Sequence, residues 1–311
     1  MIELTNFCNL NCSMCPRGLM KRKVGFMDFG LFKNIIYQCK DYTDFIWLHA
    51  FGEPTFHPQL EQCINFCSHN NIESGISTNA TILTKEKALT ILNSKLDLII
   101  LSLDAATKET YQRIRVKGDF DQVRTNIKNF LELKKKLNKR KLRALVQMLV
   151  MEATKDEIEV FKKEWENLAD FVYIKNFFTW GNQEEIAPKM KECLPSCNSI
   201  IRERYPCVYF WRDGVILWNG DFVPCCADFD GKMVLGNLHR DKLIDIWNSA
   251  TLREVRREQI ADNYNNPLCK NCTEWEGYKK DIFYPLSALC RKLIVHHKNV
   301  IKIPSQNNRR R

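Results

Sequence analysis

Through residues 1–176, short apolar strands alternate with amphipathic helices, and this alternation constrains the fold more than any other feature. The spacing predicts strands over residues 2–7, 45–50, 72–77, 96–103, 142–150 and 171–176. Helices are predicted between them, over residues 29–40, 59–69, 85–93, 120–137 and 154–168. Strand and helix in strict turn argue for an α/β fold with a parallel sheet and helical crossovers. Residues 96–103 are almost continuously apolar, as a parallel strand covered on both faces must be. Thr84 and Thr154 read as N-caps of the helices that follow them.

From about residue 186 the pattern breaks into irregular text with Pro188, Pro195 and Pro206. Val215–Trp218, Asn219-Gly220 and Phe222-Val223 then read as a hairpin around an Asn-Gly turn. The expected organisation is a first domain over 1–185, a second over 186–280 and a tail over 281–311. After Asp281 the chain carries seven Lys or Arg and no acid, out of a net charge of +10. A solvated, partly disordered end is the expectation. Contact with an anionic membrane surface is the alternative reading of the tail, and nucleic acid is disfavoured because no aromatic–basic stacking pattern accompanies the charge. No apolar run approaches the roughly 18 residues that span a bilayer, and Glu3 and Asn6 interrupt any signal-peptide core, so a soluble, cytoplasmic protein is expected.

Fourteen cysteines are many for such a chain. Disulfides are disfavoured in the cytosol, so clustered cysteines point to metal or redox chemistry. Cys8, Cys12 and Cys15 follow the first predicted strand, where α/β folds build active sites. Three thiolates can hold an iron–sulfur cluster and leave one iron open. A Cys3His zinc site completed by His49 is the competing reading. Cys269-x-x-Cys272 is a metal-binding knuckle, and with Cys207 and Cys225 (or Cys226) it offers four thiolates for zinc or a second cluster. Cys39, Cys63 and Cys67 read as small apolar core residues. Cys193 and Cys197 lie in the connecting segment.

The stretch Ile2-Glu3-Leu4-Thr5-Asn6-Phe7-Cys8-Asn9-Leu10-Asn11-Cys12-Ser13-Met14-Cys15-Pro16 resembles the opening of radical S-adenosylmethionine (SAM) enzymes, with Met14 where that family usually has an aromatic. Gly52-Glu53-Pro54, Ser77-Thr78-Asn79-Ala80 and Ser102-Leu103-Asp104 with Arg115 resemble its next three motifs, in register with the next three strands. The resemblance implies a partial (β/α)6 TIM-like barrel. It also implies a [4Fe–4S] cluster on Cys8, Cys12 and Cys15, and SAM contacts from Gly52, Glu53, Asn79, Ser102 and Arg115. Arg113 competes with Arg115 for the last role.

The run from Trp218 to Cys226, then Leu235-Gly236-Asn237-Leu238, Ile246-Trp247 and Cys269-Lys270-Asn271-Cys272, resembles the SPASM/Twitch extension of the same family. Only Cys290 follows the knuckle, so the resemblance is to the shorter, single-cluster Twitch form, with Cys207, Cys225, Cys269 and Cys272 on an auxiliary [4Fe–4S] cluster. Single-cluster members that oxidise a cyclitol alcohol imply a dehydrogenase-like oxidoreductase here. The substrate expected is a sugar or cyclitol, and the electron donor flavodoxin- or ferredoxin-like. The rival readings are a peptide or protein maturase, a sugar epimerase, and a non-catalytic iron–sulfur or zinc protein. The residue that takes the substrate proton stays open among Gln147, Tyr173, Lys175 and the arginines of the barrel.

Overall fold

The structure, a computed structural model, describes residues 1–191, 193 and 204–275. The tail, Cys197 and Cys290 lie outside the described residues. Five parallel strands, β1 (Phe45–Trp47), β2 (Glu73–Thr78), β3 (Leu98–Ser102), β4 (Arg143–Val150) and β5 (Phe171–Asn176), form one sheet in chain order. Registers such as Trp47↔Gly75, Ser77↔Ile100, Ser102↔Gln147 and Leu149↔Lys175 fix which side chains share a face. Between the strands run α1 (Phe29–Cys39), α2 (Leu60–His69), α3 (Lys85–Asn93), α4 (Lys108–Ile114), α5 (Phe120–Lys136) and α6 (Ile158–Trp165).

Side chains alternate across a strand, so each strand splits into two sets. Ile46, Ile76, Ile99, Leu101, Val146 and Met148 pack with Phe32, Ile64, Ile91, Val123, Phe130 and Trp165 of the helices in the main core. The intervening residues Phe45, Trp47, Leu98, Ile100, Leu145 and Tyr173 form a separate apolar cluster on the inner face. All five residues of β3 are buried, as its continuous apolar run requires. Asp28, Thr84, Thr107 and Asp119 each accept an amide hydrogen bond at the start of a helix.

Three expectations are corrected. Residues 2–7 run extended beside β1 but add no full strand: Ile2 N donates to Trp47 O at 2.8 Å, and single bridges tie Ile2 to Ile216 and Thr5 to Phe26. The side chains explain this, because buried Glu3 is paired with Arg22 and accepts from Trp218 N, while Asn6 bonds Lys23 O and Gly25 N. Thr154 does not cap a helix. Its hydroxyl accepts from Met151 N and donates to Leu149 O, a single 3-10 turn follows, and α6 starts at Ile158. Finally, α4 carries no predicted counterpart.

Beyond β5 come α7 (Ala187–Lys191), α8 (Tyr209–Arg212), an antiparallel sheet of β6 (Val215–Ile216), β7 (Asp221–Val223) and β8 (Gly236–Asn237), then α9 (Leu243–Trp247) and α10 (Ala250–Ile260). The expected hairpin is β6–β7, with Val215 opposite Val223 and Gly220 at φ +88° in the turn. Ile216, Phe222, Leu238 and Ile246 join the main core, so packing is continuous past residue 186. A second core holds Cys207, Phe210, Trp211, Leu252, Val255, Cys269 and Trp275.

Candidate active site

The loop carrying Cys8, Cys12 and Cys15 is held from several sides through its backbone. Glu53 N donates to Phe7 O, Asn11 N to Val116 O and Ser13 N to Ile114 O. Lys189 Nζ reaches Cys12 O at 3.3 Å and Cys15 O at 2.9 Å, and Trp180 Nε1 donates to Met14 O at 2.8 Å. Trp180 and Lys189 belong to the irregular segment after β5, where nothing in the local pattern pointed to a role.

The sulfurs are surrounded in a way that suits thiolates. Leu10 N lies 3.4 Å from Cys8 Sγ, and Arg17 N bonds Cys15 in the same manner. Burial pushes the Cys8 thiol up, and pushes the Cys15 thiol up to about 12 with help from neighbouring Cys12 and Cys8. The three sulfurs are therefore close enough to repel one another as anions, the situation that a cationic metal centre relieves.

The residues expected around SAM converge on this loop to different degrees. Gly52 sits at φ +77°, and a Cβ there would lie 2.5 Å from Thr5 O, so only glycine lets the loop after β1 approach the cysteine segment. Glu53 is buried. One oxygen accepts from Thr55 N and Oγ1, and the other from Asn79 N at 2.6 Å, which ties the loop after β1 to the loop after β2. Burial holds its carboxyl above the usual range. Asn79 Nδ2 bonds Asn9 Oδ1 at 3.1 Å and reaches Cys8 Sγ at 3.7 Å. Ser102 Oγ is 3.0 Å from Ser77 Oγ on the inner face, away from the cysteines' direct contacts.

Of the two competing arginines, Arg113 is exposed, whereas Arg115 is tucked in. Arg115 pairs with Asp104 and reaches Cys12 Sγ at 3.8 Å. Asp104, not singled out as a site residue, is fully buried at φ +64° and also accepts from Leu149 N at 3.0 Å. Its place in the Ser-Leu-Asp segment was the available signal.

Above the apolar inner cluster, polar residues face the same way: Ser77, Ser102, Gln147, Tyr173 and Lys175 by strand alternation, and His49 just past β1. His49 Nδ1 accepts from Ser77 N at 3.0 Å, and its ring meets Trp47 at 5.0 Å. Burial, then the positive charges of Lys175 and the chain's amino group, lower its pKa to about 3. The zinc reading fails on this ground: the lone pair of Nδ1 is committed to a backbone amide. Among the described residues, no group of three or more His, Cys, Asp or Glu could hold one metal ion.

In the second set, Ala227 N lies 3.3 Å from Cys225 Sγ, Glu274 N lies 3.3 Å from Cys272 Sγ, and Tyr209 N bonds Cys207. Burial lifts Cys207 and Cys272 to about 12 and Cys269 to about 11. Cys226 shares a side-chain hydrogen bond with Cys225 that raises the Cys225 thiol and lowers that of Cys226; it also lies near Cys207, Tyr209, Asp213 and Lys175, and packs with Val215, Leu217 and Val223. Cys63 and Cys67 are fully buried within α2, and Cys193 also sits in the main core.

One local signature thus recurs at Cys8, Cys15, Cys207, Cys225 and Cys272: the amide two residues on donates to the sulfur. A sulfur that receives an amide hydrogen and is crowded by other thiols is suited to iron–sulfur ligation, where such bonds tune the cluster. A cluster spreads its ligands over the corners of a cube and does not need them to meet at one ion. Both donor sets fit the group.

Comparisons with known proteins agree with this chemistry. The model of the radical SAM superfamily matches residues 2–163, and that of an iron-sulfur cluster-binding domain, SPASM, matches residues 207–273. The tungsten-containing aldehyde ferredoxin oxidoreductase cofactor-modifying protein of Pyrococcus furiosus is 23% identical over 312 residues, covering 88% of this chain and 86% of that protein. The S-adenosyl-L-methionine-dependent 2-deoxy-scyllo-inosamine dehydrogenase of Niallia circulans is 22% identical over 278 residues, covering 87% and 90%. A peptide cyclase is among the further relatives. The crystal structure of BtrN in complex with AdoMet and 2-DOIA superposes with a TM-score of 0.60 at 20% identity, over 88% of this chain and 91% of that one. With one family model spanning just over half of it and the barrel and cysteine loop to match, the chain belongs to the radical SAM superfamily, and its cofactors are SAM and [4Fe–4S] clusters.

Proposed function

We propose that the protein oxidises an alcohol of a sugar or cyclitol by two electrons. When bound, SAM and the clusters would supply a radical that takes the carbon-bound hydrogen atom and an acceptor for the remaining electron, while the hydroxyl proton would leave to a basic group of the site. Cys8, Cys12 and Cys15 would hold the first cluster through their three thiolates. Gly52, Glu53, Asn79, Ser102 and Arg115 would contact SAM, with Asp104 holding Arg115 in place. Cys207, Cys225, Cys269 and Cys272 hold the second. The inner face from Trp47 to Lys175 receives the substrate and keeps water from the reacting carbon. In this reading residues 1–185 generate the radical, residues 186–280 carry the auxiliary cluster, and a flavodoxin- or ferredoxin-like protein in the cytoplasm delivers electrons.

The observation that carries the oxidase reading is the second set of buried thiols. Three of its four members carry the amide-to-sulfur signature, which suits a fully ligated cluster that passes electrons and binds no substrate. The full-length similarity to a dehydrogenase supports the substrate class.

Anaerobic reconstitution with iron, sulfide, SAM and a reductant tests the reading. About eight irons per chain are expected from two four-iron clusters. Release of 5′-deoxyadenosine should vanish on Cys8→Ala, Cys12→Ala or Cys15→Ala. A ketone formed from a sugar or cyclitol supports the proposal, whereas a modified peptide as the product favours the maturase reading. A chain that takes up zinc and cleaves no SAM would sink both.

A further inference from the structure

The inner face carries an ammonium that forms no ion pair among the described residues. Lys175 lies on the substrate side of β5, two residues beyond Tyr173 of the inner apolar cluster. Its charge reaches His49 across the sheet, and Glu274 and Cys226 behind it. The nearby carboxylates each have another partner, although Glu53 and Glu274 bond neutral donors and keep their charge, and Glu274 lies within electrostatic reach of Lys175. Asp104 is paired with Arg115, and Glu53 is bonded to Thr55 and Asn79. Glu274 accepts from Thr179 N at 2.5 Å and from Thr179 Oγ1 at 2.8 Å, and Asp213 is paired with Arg212.

His49 adds a directed donor. A backbone amide can only donate, so Ser77 N–H fixes Nδ1 as the acceptor and places the ring proton on Nε2. Nε2–H has no hydrogen-bond partner among the described residues. The face therefore offers an ammonium, an imidazole N–H and the hydroxyls of Ser77 and Ser102, and none of the strand residues beside them is a carboxylate. Such a set is complementary to an oxyanion and repels an amine.

Resting on the sugar or cyclitol reading above, we infer that the substrate carries an anionic group, a phosphate or a carboxylate, and that Lys175, aided by His49 Nε2–H, is the residue that selects for it. The proposal separates this chain from a relative whose name specifies an inosamine, since an amine-bearing ring would meet an ammonium that has no ion pair among the described residues.

The test uses the reconstituted holoenzyme with SAM under anaerobic calorimetry. The probes are two matched trios: myo-inositol, myo-inositol 1-phosphate and an amino-inositol; and glucose, glucose 6-phosphate and glucosamine. At least one phosphate is expected to bind about tenfold tighter than its neutral partner, equivalent to about 1.4 kcal/mol, with the amine weakest. Lys175→Met should bring that ratio to within about twofold, and Lys175→Arg should keep most of it. Iron content and circular dichroism report that both variants are folded. The inference is overturned if neutral and anionic partners bind alike, if no probe binds, or if the preference survives in Lys175→Met. That last result would mean Lys175 only offsets the second cysteine set. Loss of 5′-deoxyadenosine release by the wild-type protein would instead count against the proposed function, so the two failures are distinguishable.

Discussion

Replacing His49 by glutamine gives a sharp test of the inner face. An imidazole free in water titrates near 6.5, whereas burial and the Lys175 charge hold His49 at about 3. The folded state thus keeps His49 neutral through mild acid, while the unfolded chain takes up a proton there. With the folded pKa depressed, the stability is fully present above about 6.5 and is lost as pH falls from there towards 3. Going from pH 7.5 to 5.5, an unfolded imidazole gains RT ln(1 + 10) relative to the native one, about 1.4 kcal/mol. His49 borders an open face, so water there makes this an upper figure. A glutamine side chain in its place can still accept from Ser77 N but has no titration. Urea midpoints of wild type and His49→Gln at the two pH values, taken anaerobically, should therefore differ in their pH dependence by about 1 kcal/mol. Other titrating groups, His57 among them, act equally in both proteins. If the two lose stability in parallel, the imidazole is not held neutral, and the donor role of Nε2–H falls with it.

Three further outcomes follow from the same geometry. Cys225→Ala should drop iron from about eight to about four per chain, while Cys226→Ala keeps about eight, because only Cys225 receives the amide of Ala227; equal losses would mean the two share the role. Asp104→Asn leaves the Arg115 guanidinium buried without its counter-charge, so urea unfolding should show a loss of about 3 kcal/mol; an unchanged midpoint would show that Arg115 finds another partner. Lys189→Met removes a positive charge that touches Cys12 O and Cys15 O, so the reduction potential of the barrel cluster, read by EPR-monitored titration, should move to more negative values; no shift would reduce Lys189 to a surface contact.

The barrel was readable because its elements repeat and its core follows strand and helix periods. β3 and α5 fall close to their expected bounds for that reason. Residues 2–7 were over-read, because an alternation such as Ile2, Leu4 says nothing of side chains that bind elsewhere, as Glu3 and Asn6 do. Thr154 failed as a cap because a buried hydroxyl found backbone partners in the preceding turn instead of the helix. The cysteine loops were visible through spacing. Lys189, Trp180 and Asp104 were not, since their partners are backbone atoms and charges distant in sequence, and no local period encodes such contacts.

Those missed residues tie together two cysteine sets nearly two hundred positions apart, which the proposed reaction requires. The segment after β5 touches both. Trp180 donates to Met14 O, between the second and third cysteines of the first set. The residue before it, Thr179, bonds Glu274, two positions past Cys272 of the second set. Lys189 then returns to the first loop. Trp180, Gly181 and Asn182 all take positive φ, a strained path that is held only where surrounding contacts dictate it. The proposed two-electron oxidation needs a radical source and an electron acceptor held at a fixed separation. A single short segment that pins both loops at their backbones sets that separation more rigidly than packing of two independent cores would. Lys175, on the strand that leads into this segment, lies within electrostatic reach of both His49 and Cys226, as the proposed anion-selecting role requires.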